Sequence, residues 1–184
     1  IIRAIANSTI IAPADPATTK LATWAAADYQ GPVYLSFTRD PVPAIFDLNY
    51  PFEIGKAVTV RDGSDATIIA NRDLVVIVKF AAERLTRKGM AVRVIDCHTL
   101  KPLDCAAIIP LLSQAGAAVT IEDHNIIGGL GSAIAELVSG IANTPPLLRL
   151  GVRDEFGESG LADELLEKHR LTSPLIAEDI LAAL

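Results

Sequence analysis

AAVTIEDHNIIGGLGSAIA, residues 117–135, is the stretch that decides the fold. Its apolar first half predicts a buried strand, and its acidic turn through His124 predicts the end of that strand. The glycines at 128–131 predict a corner, and the apolar residues after them predict a helix. A buried strand followed by an apolar helix is the unit from which parallel α/β sheets are built.

The same unit is repeated on both sides of this stretch. Further strands are predicted at 66–70, 91–96 and 147–151, and helices at 73–88, 104–114, 160–169 and 174–183. This order predicts an α/β fold with one mostly parallel sheet flanked by helices. We expect residues 54–61 to pair antiparallel with 66–70, because Asp62-Gly63 is a hairpin signal, and residues 99–103 to form a turn.

A smaller strand–helix–strand unit precedes this sheet. Residues 8–12 and 33–38 are predicted strands, and Asp15-Pro16 is a strong start for the helix between them. We expect Leu21, Trp24 and Ala25 to share one face of that helix.

Residues 39–52 contain three prolines and no periodic pattern, which indicates a linker. We therefore predict a β-α-β fragment of a second α/β domain at 1–40, a linker at 41–52 and a domain at 53–184. The chain begins Ile1-Ile2-Arg3 without a Met, and we interpret it as part of a longer polypeptide.

The composition argues against two classes of partner. The formal net charge of −6 over 184 residues disfavours nucleic acid and anionic membrane surfaces. No apolar run reaches the roughly 18 residues that span a bilayer. The two cysteines, Cys97 and Cys105, are eight residues apart, so that a disulfide is conceivable. Buried thiols in a reduced cytoplasmic protein are the favoured interpretation.

Two motifs near residue 125 are candidate sites. Glu122-Asp123-His124 ends a predicted strand, where open α/β sheets bind ligands. The Gly128–Gly131 corner could present backbone N–H groups to a phosphate, although the dinucleotide-binding spacing is absent. For both we favour a structural role: solvated charges at a strand end, and glycines that let a helix pack closely. For His98, which follows the predicted strand 91–96, we likewise favour a solvated residue at a strand end. His169 is expected at the surface.

Arg39 is the better candidate for ligand binding. It directly follows the predicted strand 33–38, at the carboxyl end of a parallel strand, and a guanidinium suits phosphate or carboxylate recognition. A salt bridge to Asp40 or to a carboxylate of the linker is the alternative, and the residues alone leave both open. No complete catalytic set is found.

Several segments together resemble the C-terminal part of transketolases. These are GPVYLSFTRDPVP (31–43), PFEIGKA (51–57), VRVIDCHTLKPLD (92–104), VTIEDHNIIGGLGSAIAE (119–136) and FGESG (156–160). The resemblance covers essentially the whole chain and is closest to split C-terminal sections. Deoxyxylulose-phosphate synthases and the β subunits of 2-oxoacid dehydrogenase E1 components belong to the same superfamily.

The resemblance implies a function for the complete enzyme. That enzyme moves a two-carbon ketol unit between sugar phosphates with thiamine diphosphate and a divalent metal. Residues 1–40 resemble the end of the pyrimidine-binding domain, and 53–184 the C-terminal domain. The diphosphate domain and the cofactor-activating glutamate have no counterpart here, so we expect no cofactor on this chain alone. An N-terminal partner part and a homodimer or higher oligomer are implied.

The resemblance assigns one site residue. Arg39 matches the arginine that contacts the phosphate of the sugar substrate. In contrast, Asn71-Arg72-Asp73 stands where relatives read Ala-Thr-Gly, which puts any ligand or partner contact of that corner in doubt. The resemblance also favours a structural role for Gly128–Gly131, near a dimer contact. The alternatives are a non-catalytic assembly or regulatory module, or the equivalent part of deoxyxylulose-phosphate synthase or an E1 β subunit.

Overall fold

The structure is a computed structural model that describes residues 1–184. A short 3-10 turn at Ile2–Ala4 precedes eight strands and six helices. In chain order they are β1 (Thr9–Ile11), α1 (Pro16–Asp28), β2 (Val33–Leu35), β3 (Val58–Arg61), β4 (Ala66–Ala70), α2 (Leu74–Arg87), β5 (Val92–Asp96), β6 (Thr99–Lys101), α3 (Cys105–Ser113), β7 (Ala117–Asn125), α4 (Leu130–Val138), β8 (Leu147–Val152), α5 (Ala162–Lys168) and α6 (Ser173–Ala183). None of the helices is long and apolar enough to cross a membrane.

A five-stranded sheet in the order β3-β5-β4-β7-β8 forms the larger part of the molecule. All its pairs are parallel except β3 with β5. Every residue of β4 is buried, as expected for a central strand covered on both faces. The predicted fold class, a mostly parallel sheet flanked by helices, is confirmed.

Helices cover both faces of this sheet with separate apolar clusters. The larger cluster joins α2 and α6 to one face through residues such as Val75, Leu85 and Ile176. The smaller joins α3 and α4 to the other through Ile108, Leu112 and Ile134. All six of these side chains are buried.

The predicted hairpin between 54–61 and 66–70 is wrong. β3 is antiparallel as expected, but its partner is β5, and β4 lies on the other side of β5. The reason lies in the connection. A Cβ at Gly63 would come within 2.3 Å of the Val92 carbonyl carbon, and the Asp65 carboxylate accepts a hydrogen bond from Ala91 N at 2.7 Å. The Asp62-Gly63 turn therefore crosses the start of β5.

The predicted turn at 99–103 is also wrong in part, because residues 99–101 form β6. This strand pairs antiparallel with β1, with Ile10 opposite Lys101 and Ile11 opposite Thr99. The result is a three-stranded sheet in the order β2-β1-β6. A three-residue strand carries no periodic signal, and its partner is almost 90 residues distant in sequence. The pairing joins residues assigned to the 1–40 fragment with residues assigned to the 53–184 domain, whose boundaries remain a prediction.

Two further results concern the burial of side chains. Trp24 is 53% exposed, whereas Thr18 and Ala22 are the buried residues of α1. Cys97 is buried as expected, but Cys105 is exposed, and both are free thiols. Cys105 opens α3 and does not belong to its buried side, which consists of Ile108 and Leu112.

The linker residues 41–52 contain no helix or strand, and aromatic side chains fix their end to β5. The Tyr50 hydroxyl donates a hydrogen bond to Asp96 Oδ2 at 2.7 Å. The Phe52 ring stacks on His98, with 4.3 Å between ring centroids. His98, expected to be solvated, is fully buried, and its Nδ1 lies 3.1 Å from Thr99 Oγ1.

Burial shifts the two ionisable groups beneath this linker in opposite senses. It raises the pKa of Asp96 from 3.8 to about 7, although the Tyr50 hydrogen bond opposes the shift. It lowers the pKa of His98 from 6.5 to about 4. Stability from a protonated Asp96 is therefore complete below about pH 4 and is lost as the pH rises to 7. Stability from a neutral His98 is lost as the pH falls from 6.5 to 4.

We predict that Asp96→Asn makes the free energy of unfolding less sensitive to a rise in pH from 5 to 8. The amide has no proton to lose and still accepts the Tyr50 hydrogen bond. Relative to the unchanged chain, the variant should gain on the order of 2–3 kcal/mol between pH 5 and pH 8. Urea unfolding at both pH values measures this difference, in which the His98 contribution cancels. A difference that stays constant with pH would contradict the prediction.

Candidate functional site

The carboxyl ends of β4 and β7 meet at the centre of the five-stranded sheet. The chain leaves β4 toward β5 on one side and returns to β7 on the other. This reversal of strand order is where open α/β sheets bind ligands. Two openings lie there: a crevice of about 200 Å3 and a cleft of about 550 Å3. Arg72, after β4, and Asp123, on β7, line both openings.

Glu122 is a buried helix cap and is not the solvated residue that was expected. Its side chain is 3% exposed. Oε2 accepts a hydrogen bond from Leu130 N at 2.7 Å, and Oε1 accepts one from Gly131 N at 2.8 Å. Burial raises the pKa of Glu122, while these two N–H groups act to lower it. A carboxylate of this chain therefore occupies the N-terminus of α4, where a phosphate would otherwise bind.

The glycine corner makes room for that carboxylate. A Cβ on Gly129 would lie 1.8 Å from Glu122 Oε2, and one on Gly131 would lie 3.0 Å from Glu122 Oε1. Gly151 on β8 is also constrained, because its Cβ would approach the Glu122 carbonyl oxygen to 2.9 Å. These contacts support the structural role favoured for Gly128–Gly131.

The other two residues of the acidic turn, Asp123 and His124, line the 200 Å3 crevice together with Glu122. The Asp123 carbonyl accepts a hydrogen bond from Arg72 Nη1 at 3.3 Å. The His124 ring is 58% exposed, and its Nδ1 is 2.6 Å from the Asn125 carbonyl and 3.8 Å from Glu122 Oε2. The chain contains no group of three or more His, Cys, Asp or Glu residues that could hold a metal ion.

Arg72 lies in the corner where relatives were expected to carry a glycine. Its φ of 55° is in the left-handed region, which glycine adopts more readily than arginine. Its backbone N–H donates to the Ala12 carbonyl at 3.1 Å, so that the corner is bonded to the end of β1. Burial raises the pKa of the neighbouring Asp73, and the positive charge of Arg72 opposes that shift.

Arg39 lines the larger cleft, four residues beyond the end of β2. The observed strand ends at Leu35, earlier than the predicted 38. Arg39 is exposed and forms no ion pair within 4.0 Å, so neither Asp40 nor a linker carboxylate neutralises it. The guanidinium is therefore available to an external anion.

The cleft brings Arg39 together with residues that the sequence did not link to it. His169, expected at the surface, has a side chain only 13% exposed, with Nδ1 3.1 Å from Glu155 Oε1. Arg72 and His169 both line the cleft with Arg39. One further wall is apolar and comes from α2 and α5: Val76, Ile77, Phe80, Leu165 and Leu166. Four carboxylates also line the cleft: Asp40, Asp73, Asp123 and Asp163. No motif spacing relates α5 to the linker, so sequence patterns gave no signal of this arrangement.

We predict that Gly129→Ala destabilises the chain by about 2–4 kcal/mol, because the methyl group displaces Glu122 and leaves buried N–H groups unpaired. Gly140→Ala is the matched control: nothing lies within 4 Å of its Cβ position, and its φ is not positive. The control should change stability by less than about 0.5 kcal/mol. Urea unfolding compares the two, and equal effects would show that the Glu122 contact does not matter.

Comparison with known proteins identifies the family. The family model described as "Transketolase, C-terminal domain" matches residues 55–176, more than half of the chain. A 6-deoxy-6-sulfo-D-fructose transketolase subunit of Clostridium sp. (strain MSTE9) is 42% identical over 174 residues, covering 94% of this chain and 53% of the relative. A putative transketolase C-terminal section of Methanocaldococcus jannaschii is 40% identical over 183 residues, covering 98% and 57%.

Two further matches extend this comparison. A 1-deoxy-D-xylulose-5-phosphate synthase of Rippkaea orientalis is 35% identical over 184 residues, covering 98% of this chain and 29% of the relative. A solved structure described as "Split gene transketolase, inactive beta4 tetramer" superposes with a TM-score of 0.93 at 37% identity, covering 99% of this chain and 59% of that one.

The chain thus spans about half the length of the transketolase sections that it matches, or less than a third in the case of the synthase. The sheet order and the Glu122-capped corner described above lie within the region that the family model covers. This chain belongs to the transketolase family and corresponds to its C-terminal section.

Proposed function

We propose that this chain is the C-terminal section of a thiamine-diphosphate-dependent transketolase that moves a two-carbon ketol unit between sugar phosphates. The observation that supports this activity is Arg39, an exposed and unpaired guanidinium beside a cleft of about 550 Å3 at the carboxyl side of β2. Two named relatives, a transketolase subunit and a transketolase section, agree with the reaction class.

Arg39 would bind the phosphate at the far end of the substrate. A guanidinium offers two parallel N–H groups to a phosphate, which fixes both the distance and the orientation of the sugar. The carboxylates along the cleft would accept hydrogen bonds from sugar hydroxyls, a pairing that suits a ligand with one anionic end and a polyol body. Arg39 would therefore contribute to binding and positioning, not to bond cleavage.

The cofactor and its divalent metal would be held by the part of the enzyme outside this chain. When bound, thiamine diphosphate supplies the carbanion chemistry of ketol transfer. In this chain the N-terminus of α4 already carries Glu122, and no three carboxylate, imidazole or thiol side chains cluster as metal ligands would. We therefore propose that the cofactor site lies outside these residues, and we assign no step of the reaction to them.

We predict that Arg39→Ala in the complete enzyme raises KM for a sugar phosphate by the equivalent of about 1–3 kcal/mol, because a charged hydrogen bond is lost. The unphosphorylated sugar should keep its KM. Steady-state kinetics with the two substrates measures the difference. Arg84→Ala, which removes an exposed arginine on α2 away from the cleft, is the control and should match the unchanged enzyme. An unchanged KM for the phosphorylated sugar in Arg39→Ala would refute the assigned role.

An N-terminal partner part is also proposed. β2 is an edge strand whose outer side pairs with no other strand. Ile1, Tyr34 and Ile127 border the 200 Å3 crevice and are each about half exposed or more. An open strand edge beside apolar side chains is a surface that proteins cover by pairing with another chain segment. The transketolase relatives are nearly twice as long as the region matched here, which supports a covering segment of the same enzyme.

We predict that the isolated chain self-associates, and that it prefers a heteromeric complex when the N-terminal part of the enzyme is added. Light scattering should report a mass above that of the 19.5 kDa monomer. Amide exchange at residues 33–35 should slow when the N-terminal part binds. A monodisperse monomer with protected β2 amides in the absence of any partner would contradict the proposal.

Two alternative functions have specific support. The relatives named as 1-deoxy-D-xylulose-5-phosphate synthases, at up to 35% identity, favour a ketol-forming synthase that uses the same phosphate contact. The structural relative described as an inactive beta4 tetramer favours an assembly module. Assays of the complete enzyme with a ketose phosphate donor and with pyruvate separate the first alternative from a transketolase. An E1 β subunit remains a third alternative, distinguished by activity toward 2-oxoacids without sugar phosphate.

A further inference from the structure

The Asp15 carboxylate connects the first helix to the linker that follows Arg39. Asp15 is 3% exposed. Its Oδ1 accepts hydrogen bonds from Thr18 N at 2.9 Å and from Thr18 Oγ1 at 2.8 Å, which caps the N-terminus of α1. Its Oδ2 accepts hydrogen bonds from Ile45 N and Phe46 N, both at 2.9 Å. One buried carboxylate thus satisfies donors from two segments about 30 residues apart.

This arrangement requires an anion with two accepting oxygens. The four donors belong to two groups on opposite sides of the carboxylate, and the start of α1 favours a negative charge there. An asparagine could accept at one oxygen only and would turn an N–H group toward one of the two donor groups. The combination of helix cap and linker contact is therefore specific to a carboxylate and exceeds what an ordinary helix cap needs.

The same contact determines where the Arg39 loop can lie. Residues 38 and 40–42 line a pocket of about 230 Å3 together with Asp15, Pro16 and Thr19 of the α1 start. Arg39 itself lies within this loop, between the end of β2 and the Ile45–Phe46 amides. With β2 paired to β1 at one end and Asp15 bonded at the other, the loop is held at both ends. Its other side forms a wall of the Arg39 cleft.

We propose that Asp15 is a positioning residue for substrate phosphate: it holds the linker so that Arg39 faces the cleft. This inference rests on the proposed role of Arg39. Asp15 itself does not contact the substrate, since both oxygens are used within the chain and the carboxylate is buried. Its loss frees the carboxyl-terminal end of the Arg39 loop, and a guanidinium that is no longer fixed in place binds a phosphate less tightly.

Asp15→Ala in the complete enzyme tests the proposal. The KM for an aldose phosphate should rise on the order of tenfold, whereas kcat and the KM for the same aldose without phosphate should change less than about twofold. Amide exchange of the peptide containing residues 41–46 should become faster, with no substrate present. Combining Asp15→Ala with Arg39→Ala should weaken phosphate binding no further than Arg39→Ala alone. If Asp15→Ala does not fold, Asp15→Asn replaces it: this variant keeps the size of the side chain but has one accepting oxygen, and it should raise the same KM by a smaller factor.

Thr18→Val is the matched control, because it disturbs the cap of α1 and leaves the carboxylate free to hold Ile45 and Phe46. It should lower the unfolding midpoint without changing the preference for phosphorylated substrate. An equal loss of preference in Thr18→Val would overturn the proposal in favour of a merely structural role. If Arg39→Ala loses the preference and Asp15→Ala keeps it, this inference alone is wrong. If Arg39→Ala also keeps the preference for phosphorylated substrate, the proposed role of Arg39 is wrong, and the role of Asp15 is wrong as well.

Discussion

The end of β1 holds the two sheets of this molecule together. Ala12 N donates a hydrogen bond to the His98 carbonyl at 2.7 Å, and the Ala12 carbonyl accepts one from Arg72 N at 3.1 Å. Ala12, the residue after β1, is thus hydrogen-bonded to the segment that follows β5 and to the segment that follows β4. Because β6 pairs with β1 directly after this point, the small sheet is continuous with the large one in hydrogen bonding. Ala12 and Ser36, which follow β1 and β2, line the 200 Å3 crevice together with Arg72 and Asp123.

Buried carboxylates at the N-termini of helices also stabilise this structure. Asp15, Asp104 and Glu122 cap α1, α3 and α4, and Asp15 and Asp104 also hold a segment that is distant in sequence. Asp104 accepts hydrogen bonds from Ala107 N and from Ala57 N, at 3.2 and 3.0 Å. The partial positive charge of a helix start offsets part of the cost of burying an anion. The same groups can therefore cap a helix and fix a loop without a cationic partner.

The larger sheet could be predicted from sequence because its strands and helices each carry a strong local pattern. The apolar face of α2 and the buried run of β4 are both local signals. The pairing of β3 and the existence of β6 could not be predicted in this way, since both depend on partners far along the chain. Arg39 could be singled out as a residue after a strand. Its cleft could not, because the walls from α2 and α5 and the Asp15 contact with the linker are tertiary features.

The capped corner of α4 has a consequence for how this domain relates to nucleotide-binding folds. Its geometry is one that other proteins use to hold phosphate, but here the acceptor is the Glu122 side chain, which belongs to the polypeptide and is present whatever the cellular phosphate concentration. The glycines that would admit a ligand are instead committed to an internal side chain, at 1.8 and 3.0 Å from their notional Cβ positions. Recovering an external ligand would require losing the carboxylate while keeping the glycines, and the intermediate sequence would leave two inward-facing amides without an acceptor. The corner is therefore fixed by an internal contact and not by a bound ligand.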